Sequence, residues 1–205
     1  ENRPAWNLKL NDNQFRGTLE IRYSTANDTT WIINELPIEQ YLRGLAEAGN
    51  NSPLEYRKAL HTAAREYAYY HYLAKKKHKD RGFDIDAKYD QVYRGYGAEK
   101  RNPGIVAAVL ATRGVVVTYL GEPALSPYYA NSDGHTRSYQ EVWGGGGRPY
   151  LQSVPAPYDA GKKLWGHGVG LSATDAAGHA EKEGWNFERL LKYYYQGVEI
   201  VRRWE

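Results

Sequence analysis

Apolar and polar positions alternate from Phe15 to Tyr23, with Phe15, Gly17, Leu19, Ile21 and Tyr23 on one side of the chain. A period of two predicts a strand, and Thr29 to Asn34 predicts its partner across a turn at Asn27-Asp28. Leu36-Pro37 ends that region, and a short helix is expected over Ile38 to Leu45. The strongest helix start follows at Ser52, with Pro53 suited to the first helical position and Glu55 completing a Ser-x-x-Glu box. From there to about Lys75 the residues Leu60, Ala64, Tyr67 and His71 share one stripe at helical spacing. Lys75-Lys76-Lys77 at its end complements the helix dipole and reads as a solvated helix end.

Asp84 to Gly97 has no periodicity and is expected to be an irregular loop. Pro103 opens a helix through about Ala111. Two apolar runs, Gly114 to Leu120 and Glu122 to Ala130, flank Gly121 and predict a β-hairpin. Gly144 to Gly147 reads as a flexible loop, without the Lys-Ser/Thr that a phosphate loop requires. Tyr150 to Val154 is expected to be a short strand. Ser172 to Glu183 reads as a helix stopped by Gly184. Asn186 caps a last helix with the stripe Phe187, Leu190, Leu191 and Tyr194, stopped by Gly197, before a final strand at Val198 to Arg202. Helices and strands are interspersed without a βαβ rhythm, which predicts an α+β fold with mostly antiparallel strands. No linker or internal repeat divides the chain, so one domain is expected over 1–205, with the hairpin region of about 1–36 integral to it.

Composition narrows the classes. A 205-residue chain with 41% hydrophobic and 25% charged residues suits one globular core. The net charge of +3 is far from the clustered basic stripe of a nucleic-acid binder, so no nucleic-acid partner is expected. The mild positive balance suits an anionic polymer. There is no Cys, hence no disulfide and no thiolate metal site. The apolar stretch Ile105 to Leu120 is interrupted by Thr112, Arg113 and Gly114, so no transmembrane segment is expected in this fragment. With no Met and a start at Glu1, the chain reads as a processed or trimmed fragment whose signal peptide would lie upstream. The 19 Tyr and 6 Trp supply flat apolar faces with polar edges, which suit sugar rings and ordinary cores alike.

Four groups of residues are candidates for chemistry. Gly166-His167-Gly168-Val169-Gly170-Leu171-Ser172 lets the backbone approach a ligand where a helix begins, or is a tight turn capped by Ser172. Tyr129 to Arg137 is a dense polar loop that presents hydroxyls and amides to a ligand, or a plain turn. Glu47 lies among Leu45, Ala46 and Ala48, where partial burial would raise its pKa as a general acid requires; an exposed helix-end Glu is the alternative. A Ser-His-Asp set assembled from Ser132 or Ser172, His167 and Asp133 is the fourth, unsupported by a nucleophile elbow.

Taken together, segments along the chain resemble the SpoIID/LytB domain family. Leu36-Pro37-Ile38-Glu39-Gln40-Tyr41-Leu42-Arg43-Gly44 resembles that family's Leu-Pro-x-Glu-x-Tyr-Leu-x-Gly opening. Ala63-Ala64-Arg65-Glu66-Tyr67-Ala68 resembles its Ala-Ala-Arg-Thr-Tyr-Ala helix, and Asp90-Gln91-Val92-Tyr93-Arg94-Gly95 its Gln-Val-Tyr-x-Gly loop. Ala111 to Gly114, Tyr129 to Arg137, Glu141 to Gly144, Tyr150 to Val154, Gly166 to Ser172 and Tyr193 to Val198 follow in the family's order. Each is weak alone; the ordered set, over about residues 15 to 200, is specific.

The resemblance implies a peptidoglycan lytic transglycosylase, a glycan-strand lyase that acts outside the cytoplasm and needs no cofactor. Glu47, 18 residues before Arg65, takes the place of the family's catalytic acid. It sits closer to Gly44 than in the family pattern, and Ala48 stands where the family has Met. Glu39 is the fallback carboxylate, with a structural look. Gln91, Ser132 and His167 are expected to contact sugar, Tyr93 and Tyr129 to wall the site, and Ser172 to line it. Some members look metal-binding through Cys near the Gln-Val-Tyr loop; Asp84 to Asp90 has none, so no zinc is expected. Ala173 replaces a Gln common after Gly-Val-Gly-x-Ser. The implied partner is the peptidoglycan glycan strand. The alternative is a non-catalytic, glycan-binding module that enhances a partner amidase.

Overall fold

The computed structural model describes residues 14–25, 28–146 and 148–205. The expected turn residue Asn27, residue Gly147 of the glycine run and the first part of the 1–36 hairpin region lie outside the described residues.

The fold is α+β, as the pattern predicts. Strands β1 (Thr18–Ser24) and β2 (Thr29–Glu35) pair antiparallel, with Ile21 opposite Ile32. Helix α1 (Ile38–Arg43) leads into the long helix α2 (Leu54–Ala74). Helix α2 packs against α1, against α4 (Pro103–Ala111), against α6 (Ala173–Lys182) and α7 (Phe187–Tyr194), and against strand β3 (Val115–Tyr119). Its many small residues allow this close approach, since Ala59, Ala63 and Ala64 are all buried. Two core clusters result. The larger joins Leu60, Leu151, Leu171, Leu190 and Tyr194; the smaller joins Leu42, Leu45, Ala64, Tyr93 and Ile105.

Four local expectations are corrected. Ser52 makes no side-chain cap: Pro53 is the residue before α2, and Glu55 instead binds Lys58 Nζ at 2.6 Å and accepts from the Phe187 amide at 2.9 Å. The loop expected over Asp84 to Gly97 gives way to helix α3 (Gly95–Arg101) before it ends. The second arm of the expected hairpin is only β4 (Glu122–Pro123), paired with β3. Pro123 and Pro127 lack the N–H a longer antiparallel ladder needs. The chain instead departs into β5 (Tyr128–Tyr129), which pairs in parallel with β6 (Leu171–Ser172). Tyr150 to Val154 joins no strand: Tyr150 lies in a turn, and the Leu151 and Val154 carbonyls accept from the Tyr139 and Thr136 amides. Between them lies helix α5 (Tyr139–Trp143), closed by a Ser138–Glu141 capping box that the pattern did not single out. The last strand, β7 (Glu199–Arg202), pairs with β3 as the closing edge of a three-stranded sheet.

The buried guanidinium of Arg65 connects these parts. Its Nε and Nη2 donate to the two oxygens of Glu39 at 2.9 Å each, and Nη1 donates to the Val115 carbonyl at 3.1 Å. Glu39 also accepts from the Gly114 amide and the Trp204 indole, both at 3.1 Å. Glu39 is thus a structural anchor. Its neighbour on α2, Glu66, is fully buried with one oxygen accepting from the Val117 amide at 3.2 Å. Burial is the main cause that raises its pKa from 4.5 to about 8.

Replacing Glu39 with Ala leaves Arg65 buried and uncompensated; we expect a loss of about 3–5 kcal/mol, read from the denaturant midpoint. An unchanged midpoint contradicts the anchor role. For Glu66 the folded state favours the neutral acid, so its contribution is full below about pH 4.5 and is lost as pH rises through about 8. Glu66→Gln is therefore expected to flatten the decline of stability across that window, measured by thermal melts at stepped pH.

Candidate functional site

Glu47 lies on the segment after α1, which crosses from one core cluster to the other: Leu45 belongs to the smaller and Ala48 packs on the larger. This segment is held by a short backbone pairing with the Gln91-Val92-Tyr93 loop. Ala46 N donates to Val92 O, and Arg94 N to Gly44 O, each at 2.8 Å. Gly44 is required for the approach, because a Cβ there would sit 2.5 Å from the Tyr93 ring. The Glu47 side chain then turns back and accepts from the Val92 amide at 2.6 Å.

Tyr128, from β5, packs against both clusters, and its phenol lies near enough to the Glu47 carboxylate to favour the charged form. Gln91 orients that phenol. Its amide nitrogen donates to Tyr128 Oη and to the Ala64 carbonyl, both at 3.1 Å, while its oxygen accepts from Tyr41 Oη at 2.7 Å. With a lone pair of Tyr128 engaged by Gln91, its single hydrogen is free for Glu47. Half-burial is the largest influence on Glu47 and raises its pKa above the ordinary carboxylate value; the Val92 and Tyr128 hydrogen bonds oppose it. No second carboxylate contributes to that balance among the described residues.

His167 lies by the backbone of Tyr128, at the end away from the phenol. Burial lowers its pKa to about 4, so the ring is neutral. Nδ1 accepts from the Val169 amide at 3.1 Å, which puts the ring hydrogen on Nε2. The ring packs 5.5 Å from Tyr129 and 5.0 Å from Trp143. Gly170 in the same turn has φ +78°, and a Cβ there would meet the Pro127 carbonyl at 2.2 Å; no side chain fits.

Of the residues singled out from sequence, Glu47, Gln91 and His167 converge around Tyr128. Tyr93 is buried in the smaller cluster, stacked on Tyr41 with ring centres 5.1 Å apart, and donates to Asn34 Oδ1 at 3.0 Å. Ser132 and Ser172 are buried on one carboxylate oxygen of Asp159, at 2.9 and 2.5 Å. Asp159 ties the polar loop to the start of α6, and the Tyr129 phenol lies beside the same two hydroxyls. The Ser-His-Asp alternative is not assembled: both serines engage Asp159, and Asp133 engages Arg137 at 2.8 Å. Tyr128, Val92 and Asp159 were not legible as functional positions. The one available signal for Tyr128 was strand alternation, which sends it to the face opposite Tyr129.

The loop before Gln91 is closed by Asp90, which binds His78 Nε2 at 2.6 Å, Lys77 Nζ at 2.5 Å and the Asp86 amide at 2.8 Å. Among the described residues no group of three His, Asp or Glu side chains is placed to hold a metal ion. No helix among them is long and apolar enough to cross a membrane.

Residues 26–119 match the family model described as SpoIID, Stage II sporulation protein. The chain is 38% identical over 149 residues to an uncharacterized protein of Brachyspira hyodysenteriae, covering 71% of this chain and 38% of that protein. It is 27% identical over 152 residues to Stage II sporulation protein D of Bacillus amyloliquefaciens, covering 67% of this chain and 42% of the relative. The figures for Stage II sporulation protein D of Bacillus subtilis are 27% over 150 residues, with 67% and 43% covered. The alignments thus span about two fifths of the length of these relatives.

Removing the Tyr128 hydroxyl takes away a donor that favours the charged carboxylate. Tyr128→Phe is therefore expected to raise the Glu47 pKa further, followed by NMR titration of a labelled Glu47 side-chain carboxyl. A lowered or unmoved pKa contradicts the assigned contact.

Proposed function

We propose, with the SpoIID domain of this chain as the premise, that the protein is a lytic transglycosylase of peptidoglycan. It cuts the β-1,4 bond between N-acetylmuramic acid and N-acetylglucosamine. The observation that supports this reading is Glu47: a half-buried carboxyl with raised pKa, held by the Val92 amide, with the Tyr128 phenol beside it, at the seam of two core clusters.

In the first half of the reaction neutral Glu47 gives its proton to the leaving glycosidic oxygen. The carboxylate so formed is steadied by the same two donors. It then takes the proton of the muramic acid 6-hydroxyl, whose oxygen attacks C1 and closes a 1,6-anhydro ring. The substrate's acetamido group stabilises the developing positive charge, so the pair of carboxylates used by ordinary glycosidases is unnecessary. Neutral His167, by the Tyr128 backbone, contacts sugar. Gln91, Tyr93, Tyr129, Ser132 and Ser172 shape the site from behind, through Tyr128, Tyr41 and Asp159. The polymer lies outside the cytoplasmic membrane, and so does this reaction. The name of the two Bacillus relatives suits a wall-remodelling role of this kind.

Mass spectrometry of glycan strands, intact and stripped of stem peptides, tests the reading. Wild type is expected to release anhydro-muramyl ends, and Glu47→Gln to lose the general acid's contribution of about 10²–10⁴-fold in rate. The wild-type rate is expected to fall as pH rises through the raised Glu47 pKa, because the acid must be neutral to act. Strand binding without any release by wild type would favour the glycan-binding enhancer of a partner amidase instead.

A further inference from the structure

Two indoles next to His167 stand in solvent. Trp165 is 75% exposed and Trp143 is 45% exposed. Trp165 is presented from a rigid base. Its amide donates to the Asn131 carbonyl at 2.9 Å, the two residues form an isolated antiparallel bridge, and the Asn131 side chain donates to the Lys163 carbonyl at 2.7 Å. Trp143 closes the capped helix α5, with ring centres 5.1 Å from Tyr139 and 5.0 Å from His167. The two indoles therefore flank His167, one through ring contact and one through the chain, separated from it only by Gly166.

We propose that Trp165, together with Trp143, is a stacking platform for the pyranose rings of a bound glycan strand; this rests on the glycan-cutting reading above. A pyranose has an apolar C–H face and hydroxyl edges, and an exposed indole offers the matching flat face. The base of Trp165 at Asn131 lies three residues along the chain from Tyr128, whose phenol is beside Glu47. The platform would hold the strand beside the bond to be cut. The rigid backbone under Trp165 means that little ordering is required on binding. Because the neighbouring His167 is neutral, the row is suited to an uncharged ring face.

Strand binding is measured in the Glu47→Gln background, so that cutting does not consume the ligand, with peptide-stripped glycan strands as the probe. Adding Trp165→Ala is expected to weaken binding about tenfold, and Trp165→Phe to restore much of it. A thermal melt confirms that both variants keep the parent fold. Trp143→Ala, on a separate element, provides a second reading in the same direction. Unchanged binding in Trp165→Ala, with the Glu47→Gln parent still binding, overturns the platform and leaves the cutting reading intact. Failure of the parent and wild type to bind or cut strands overturns both.

Discussion

Everything around the site depends on one buried ion pair. Arg65 on α2 has no exposed side-chain surface, and its planar fork fits both oxygens of Glu39 on α1. The remaining guanidinium hydrogens reach the carbonyls that close α4 and open β3. Glu39 in turn holds the Gly114 amide and the Trp204 indole, so four separate stretches meet at two side chains. Such a pair adds little net stability compared with apolar packing, but it penalises every arrangement that separates its members. Here that penalty fixes the angle of α1, and the segment leaving α1 carries Glu47.

The same constraint explains why sequence reading went as far as it did. Helices α2, α4, α6 and α7 follow from stripes, prolines and glycines that act locally, and their observed bounds lie close to the expected ones. The departures arise where the partner is distant. Ser52 has the local form of a cap, yet the Glu55 of its box is engaged 132 residues away by the Phe187 amide. Tyr128 and Tyr129 look like the end of a hairpin arm, yet pair in parallel with Leu171 and Ser172. Tyr150 to Val154 has the composition of a strand but meets loops where a strand partner would be.

The site divides in the same way. Glu47, Gln91 and His167 were legible because each sits in a motif with a specific order. Ser132 and Ser172 were legible as important residues, but their partner Asp159 was not, since nothing in a Pro-Tyr-Asp turn points toward two distant hydroxyls. Tyr128 was hidden by its neighbour: the polar-loop motif begins at Tyr129, one residue later and on the other face of the strand. The approach of Tyr128 to Glu47 is a three-dimensional fact with no short-range spacing to announce it.

The two glutamates with raised pKa differ in what surrounds them. Glu66 is fully buried and its pKa is raised to about 8, the larger displacement. Glu47 is only half-buried, and two donors hold back part of the rise. If acidity alone marked a site, Glu66 would be chosen. Yet Glu66 faces the Val117 amide beneath β3 and has no surface on which a polymer could lie. Its raised pKa is a consequence of lodging an acid in a core. At Glu47 burial is partial, the Val92 amide and the Tyr128 phenol favour the anion, and an edge is open to solvent. Glu66 also has donors, from the Val117 and Ala124 amides, but of these two carboxyls only Glu47 can be reached by a ligand.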